Sequence, residues 1–162
     1  MTQEIKCDSS RYVEHEVPKP LFTEEMKKEY TILAPQMLPV HFALFEQIFK
    51  QYGYNVEILT CTDKAVVDEG LRNVHNDTCY PALLTIGQMI HALKSGKYDL
   101  HKVALLMTQT GGGCRASNYI HLLRKALKKA GFGFVPVISL SFGMEKNSGF
   151  SLTLPLIRRF VG

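Results

Sequence analysis

The chain lacks any apolar run approaching the roughly 18–20 residues that cross a bilayer, so no membrane-spanning helix is expected. Its opening, MTQEIKCDSSRYVEHEVPKP, has neither the basic start nor the apolar centre of a secretory signal. Cysteine is sparse: four in 162 residues, at positions 7, 61, 79 and 114. That scatter does not make a disulfide framework, and no pair has the CxxC spacing of a zinc ribbon or a thioredoxin-like redox site. A cytoplasmic chain with free or ligating thiols is the expectation. Nothing reads G-x-x-x-x-G-K-[ST], which excludes a Walker A phosphate loop, and ATP hydrolysis by this chain is not expected. There is no internal repeat and no low-complexity tract.

What is present is ordinary for a globular domain: 46% hydrophobic and 21% charged residues, net charge +4 and pI near 8.9. The charge is mild. It permits an anionic partner without demanding one. At this length one domain with a full hydrophobic core is expected.

From Tyr30 an alternating rhythm appears. YTILAP (30–35), YNVEILT (54–60), KVALLMTQ (102–109) and VPVISLS (135–141) read as strands, the third apolar on both faces. Between them PVHFALFEQIFKQYG (39–53) carries Phe42, Phe45, Ile48 and Phe49 at helical spacing. DKAVVDEGLRNV (63–74) opens on an Asp63 cap, PALLTIGQMIHALKSG (81–96) runs from Pro81 to a Gly96 stop, and SNYIHLLRKALKKAG (117–131) sends Tyr119, Ile120, Leu123 and Leu127 inward. Arg124, Lys125, Lys128 and Lys129 then form a solvated outer face; without interleaved aromatics it argues for no nucleic-acid partner. Strands alternating with helices predict a three-layer α/β fold: a mostly parallel four-stranded sheet with helices on both faces, a flavodoxin-like or Rossmann-like half. Residues 1–29 read as an N-terminal arm or a piece of a neighbouring domain, 30–145 as the α/β domain, and 146–162 as a segment cut from a larger protein.

In open parallel sheets ligands bind beyond the carboxyl ends of the strands. Cys61 follows the second strand there, Cys114 follows the third by way of Gly111, Gly112 and Gly113, and Cys79 precedes a helix start. Helix starts favour anionic sulfur, or an anionic cluster carrying it. Free cysteine is also a common small core residue, the simpler reading for Cys61 and above all for Cys7. His75 and Asp77 beside Cys79 offer mixed zinc ligands, and His41 offers a proton donor, though a helix-start histidine is more often structural. Gly111, Gly113 and Ala116 fit G-x-G-x-x-A, but the fourth strand ends Leu140-Ser141-Phe142 with no acidic residue to hold a ribose, so the dinucleotide fingerprint is incomplete. The glycines, Arg115 and Ser117 can still receive an anion through bare N–H groups, whether a phosphate or a cluster's sulfides. No catalytic residue is assigned.

Two blocks, NDTCYPALLTIGQMIHALKSGKYD and MTQTGGGCRASNYIHLLRKAL, resemble the C-terminal region of acyl-CoA dehydratase activase-related proteins, kin of the activators of 2-hydroxyacyl-CoA dehydratases. The similarity spans residues about 22–155, and the chain looks like the dehydratase-like part, apart from its ATPase domains. The resemblance implies an iron–sulfur cluster, [4Fe-4S] by type, serving electron transfer or radical acyl-CoA dehydration in an anaerobe. By the same resemblance Cys79 and Cys114 are its ligands, with Cys61 a third placed by position alone, and aerobic preparation would leave the site empty or zinc-bound. Implied partners are ATPase (activase) domains, dehydratase subunits, acyl-CoA and a second copy. The competing expectation is a module in which Gly111–Gly113 takes a nucleotide or CoA phosphate and the cysteines are incidental.

Overall fold

A computed structural model describes residues 20–23, 25–75, 77–109 and 114–140, with the side chain of Arg115 excepted. The element order is α1 (Met26–Glu29), β1 (Thr31–Pro35), α2 (Pro39–Gln51), β2 (Asn55–Leu59), α3 (Lys64–Asn73), α4 (Tyr80–Lys94), β3 (Val103–Thr108), a 3-10 turn (Arg115–Asn118), α5 (Tyr119–Ala130) and β4 (Val137–Leu140). The four strands form one sheet in the order β2-β1-β3-β4, and every pairing is parallel. This is the three-layer α/β architecture expected from the strand and helix rhythm. The single turn α1 is the element that the sequence pattern did not announce.

Local chemistry accounts for the element ends. Asp63 caps α3, its Oδ1 accepting from Val66 N at 3.2 Å. Pro81 sits in the first turn of α4, where a missing N–H costs nothing. Gly131 ends α5 at φ 86°, a left-handed conformation that a side chain would strain. The last expected helix opens differently from the simple pattern: a 3-10 turn comes first and regular α-helix begins only at Tyr119.

Alternation along the strands divides the core in two. Leu33, Leu59, Val103, Leu105, Met107 and Val137 face α4 and α5. Ile32, Ala34, Val56, Ala104, Leu106 and Ile138 face α2, where Phe42, Ile48, Phe49 and also Phe22 close over them. Burying each large aliphatic or aromatic side chain contributes about 1.5–3 kcal/mol, so these two faces supply most of the fold's drive. Between α3 and α4 the contact is backbone on backbone. A Cβ on Gly70 would lie 2.4 Å from Leu83 O, and one on Gly87 2.3 Å from Val66 O. The paired positions make the two helices antiparallel, and only glycine permits that approach.

The sheet order reverses direction between β1 and β3, and these two strands also part company there. Their pairing covers Thr31–Leu33 against Val103–Leu105, while β1 continues to Pro35 and β3 to Thr108. Pro35, lacking an N–H, thus lies past the end of the β1–β3 ladder in an otherwise central strand. The chain after β1 and the chain after β3 meet across the opening, with Thr108 Oγ1 donating to Met37 Sδ at 3.5 Å. This is where open α/β sheets accept ligands.

Candidate functional site

Two cysteines begin helices on this carboxyl edge. Cys79 is the N-cap of α4, in extended conformation at φ −63° and ψ 145°, and Cys114 is the N-cap of the 3-10 turn at φ −78° and ψ 145°. Neither side chain caps its own helix. Both sulfurs therefore remain available to something outside the chain segment that carries them. Cys79 is set by a turn in which Thr78 N donates to His75 O at 3.0 Å, and by Leu83 N donating to its carbonyl. Cys114 is set by Ser117, whose N–H and hydroxyl both donate to the Cys114 carbonyl, at 3.1 and 2.8 Å. Gln109 braces the same turn: its Nε2 donates to Ser117 O, its Oε1 accepts from Ser139 Oγ, and its N–H bonds Leu140 O. The end of β3, the 3-10 turn and β4 are thereby tied together.

Tyr119 meets the first of the two cysteines. Its ring is buried at the start of α5, and its hydroxyl lies 3.0 Å from Cys79 Sγ. Burial, the contact with Cys79, and the charge of Cys79 and Cys114 together push the phenol well above its usual range. Tyr119 thus keeps its proton and is positioned to donate to the sulfur. Alkaline titration checks this. Of the seven tyrosines, Tyr119 should ionise last, well above pH 10 and later than Tyr98, which burial and Glu57 also push up, and Tyr119→Phe should remove that latest component of the tyrosinate absorbance. The sign follows from linkage. Between the unfolded and folded values the native state holds a proton that the unfolded chain releases, so folding stability falls as pH rises through that window. If all tyrosines ionise together below the unfolding transition, the buried hydrogen bond is wrong.

Cys61 stands elsewhere on the edge. Its carbonyl accepts from Gln88 Nε2 at 2.7 Å, and its sulfur lies with an Asp63 oxygen and a His91 ring nitrogen, all within 4.8 Å of one another. Gln88 and His91 are nine and twelve residues beyond Cys79, roughly 13–18 Å along the helix axis. The structure therefore sets Cys79 against Tyr119, five residues after Cys114, and Cys61 elsewhere along α4. The Asp63 carboxyl is held below its usual range, chiefly by the Val66 N–H, then by a hydrogen bond with the Cys61 thiol and the neighbouring His91.

Other expected positions are local. His75 Nδ1 accepts from Asp77 N at 3.2 Å and lies 3.3 Å from Asp77 Oδ2, both side chains exposed. His41 is exposed on α2. Gly111, Gly112 and Gly113, together with Cys7, lie outside the described residues, as does the Arg115 side chain. Tyr119 and Gln88 were missed as site residues by sequence reasoning. Tyr119 reads as one more inward position of an amphipathic helix, and nothing in a linear pattern shows that its hydroxyl meets a thiol.

Fold and edge together define the class: a parallel α/β domain with uncapped thiols at two helix starts beside its switch point. The family model of the CoA enzyme activase uncharacterised domain matches residues 35–100, so this stretch is similar to that family. The match contains α2, β2, α3, α4, Cys61 and Cys79; Cys114 lies beyond it. No curated protein and no solved structure matches the chain. No helix among the described residues is long and apolar enough to cross a membrane.

Proposed function

We propose that this is a domain of a 2-hydroxyacyl-CoA dehydratase activase-related protein, holding an iron–sulfur cluster between the starts of α4 and α5. The observation that carries the reading is the 3.0 Å contact of Cys79 Sγ with the Tyr119 hydroxyl, at the start of the helix that the Cys114 turn leads into, with neither thiol capping its own helix. The donor set fits: cluster ligation takes thiolate sulfur, and these two sulfurs are engaged by no helix of their own. When bound, the cluster would supply single-electron transfer to or from an acyl-CoA dehydration partner. The chain's own contribution would be different. Cys79 and Cys114 would ligate, the N-termini of α4 and the 3-10 turn would place N–H groups toward the anionic cluster, and Tyr119 would donate to Cys79 Sγ. The remaining ligands would come from outside this pair, from an activase domain, a dehydratase subunit or a second copy.

A second reading rests on the crevice between β1 and β3, with CoA or nucleotide phosphate received near residues 111–113. One experiment separates the two. Anaerobic purification and reconstitution with iron and sulfide should give a stoichiometric cluster with a thiolate-to-iron charge-transfer spectrum, lost in Cys79→Ala and in Cys114→Ala. Absence of iron binding alongside tight binding of CoA or a nucleotide would replace the cluster reading with the phosphate one.

A further inference from the structure

We propose that Cys61, Asp63 and His91 form a second, mononuclear site for a borderline divalent cation of the zinc type, separate from the Cys79–Cys114 edge. The three donors are a sulfur, a carboxylate oxygen and an imidazole nitrogen, contributed by the segment after β2 and by α4, and they lie within 4.8 Å of one another. Tetrahedral zinc at 2.0–2.3 Å from such ligands spaces them roughly 3.3–3.8 Å apart. Closing from the observed spacing needs about 1 Å of movement from Cys61 and Asp63, which are exposed, and His91, which is half-buried.

The donor chemistry selects the metal. One thiolate, one imidazole and one carboxylate suit zinc; an all-oxygen site would suit calcium or magnesium, and an all-sulfur site an iron–sulfur cluster. Asp63 is pre-positioned because its Oδ1 is fixed on Val66 N as the cap of α3, which leaves Oδ2 for the ion. Cys61 is pre-positioned because Gln88 Nε2 holds its carbonyl at 2.7 Å, and Gln88 stands one helical turn before His91 on the same helix.

An independent observation comes from the other end of that amide. Gln88 is 5% exposed, and its Oε1 is the buried side-chain oxygen left without a hydrogen-bond partner among the described residues. The amide's covalent geometry puts Oε1 within about 5 Å of the Cys61 carbonyl oxygen. A buried acceptor without a donor is costly, typically about 1–3 kcal/mol. Three protein ligands would leave the fourth zinc position to water, a donor of the kind that Gln88 Oε1 lacks. The site has the composition of an open zinc centre, with three protein ligands and a supporting amide.

Co(II) is the probe, because in a tetrahedral thiolate site it gives a sulfur-to-metal charge-transfer band and intense visible transitions. With the reduced chain at neutral pH, stoichiometric Co(II) should produce both, and Zn(II) should bleach them. The signal should disappear in Cys61→Ser and His91→Ala and persist in the Cys79→Ala/Cys114→Ala double variant. Gln88→Met should weaken binding by roughly 10–100-fold with an unchanged circular dichroism spectrum. The proposal is overturned by a thiolate band that follows Cys79 and Cys114 instead, by binding indifferent to Cys61→Ser, or by no band in excess Co(II). Its outcome is independent of the cluster reading, because the double variant removes the cluster ligands and leaves this site intact.

Discussion

Phe49→Ala should lower stability by about 3–5 kcal/mol, the range for deleting a buried aromatic side chain. Phe49 is 1% exposed and among the largest fully buried side chains. It packs edge-on against Tyr54 at 5.8 Å between ring centroids and closes the face formed by Ile32, Ala34, Val56 and Ala104. Its backbone carbonyl also accepts from Tyr52 N and Tyr54 N, so the helix end and the entry to β2 meet at this residue. Truncation leaves a cavity that strands and helix cannot close without moving together. For a domain of this size the cost corresponds to a fall of roughly 6–20 °C in the unfolding midpoint, read by thermal circular dichroism. Phe49→Leu should lose much less, because most of the volume is kept. The proposed cluster ligands Cys79 and Cys114 stand at helix starts on the opposite face, so under the cluster proposal iron binding below the unfolding transition should survive. A midpoint shift under about 2 °C would show that α2 is not closed onto the sheet through this residue.

Gly87→Ala should destabilise by up to about 2 kcal/mol although alanine is the better helix former. The propensity gain is close to 1 kcal/mol. Against it, the new methyl would sit 2.3 Å from Val66 O and 3.3 Å from Gly70 Cα, atoms of a helix backbone that has no rotamer to change. The antiparallel pair must separate, and forcing α3 outward loosens the packing of Leu83, Ile86 and Ile90 beneath it. Overpacking of this sort costs about 1–3 kcal/mol and sometimes more. Gly133→Ala is the control: its nearest contact would be an ordinary 3.6 Å to Lys128 Cα, so its stability should stay within about 0.5 kcal/mol of the original. Equal melting of the two variants would mean that α3 and α4 do not approach as closely as their glycines allow.

The close helix contact has a functional reach. α3 carries the Asp63 cap at one end, and α4 carries Cys79 at its start with Gln88 and His91 beyond it. The distance between the helices therefore sets where Asp63 stands relative to His91. A shift that leaves the fold intact should weaken cation binding at Cys61, Asp63 and His91 before it disturbs the Cys79–Tyr119 contact.

The sequence by itself determined the layer architecture. β3 reads VALLMT because strands covered on both faces need no polar side, and α5 shows one apolar stripe because it has one face to bury. It also determined caps and stops, since Asp63, Pro81 and Gly131 act through their own backbones and near neighbours. The match to the CoA enzyme activase domain over residues 35–100 agrees with the resemblance carried by the block around Cys79. Tertiary structure alone decided which thiols keep company. The sequence put Cys61, Cys79 and Cys114 in loops of one edge and offered Cys61 as a third ligand by position alone. The 15-residue length of α4 separates them, because Cys79 sits at its start while Cys61 is bonded to Gln88, most of the helix away. The buried Tyr119 hydroxyl then takes Cys79 as its partner, while Asp63 and His91 gather around Cys61.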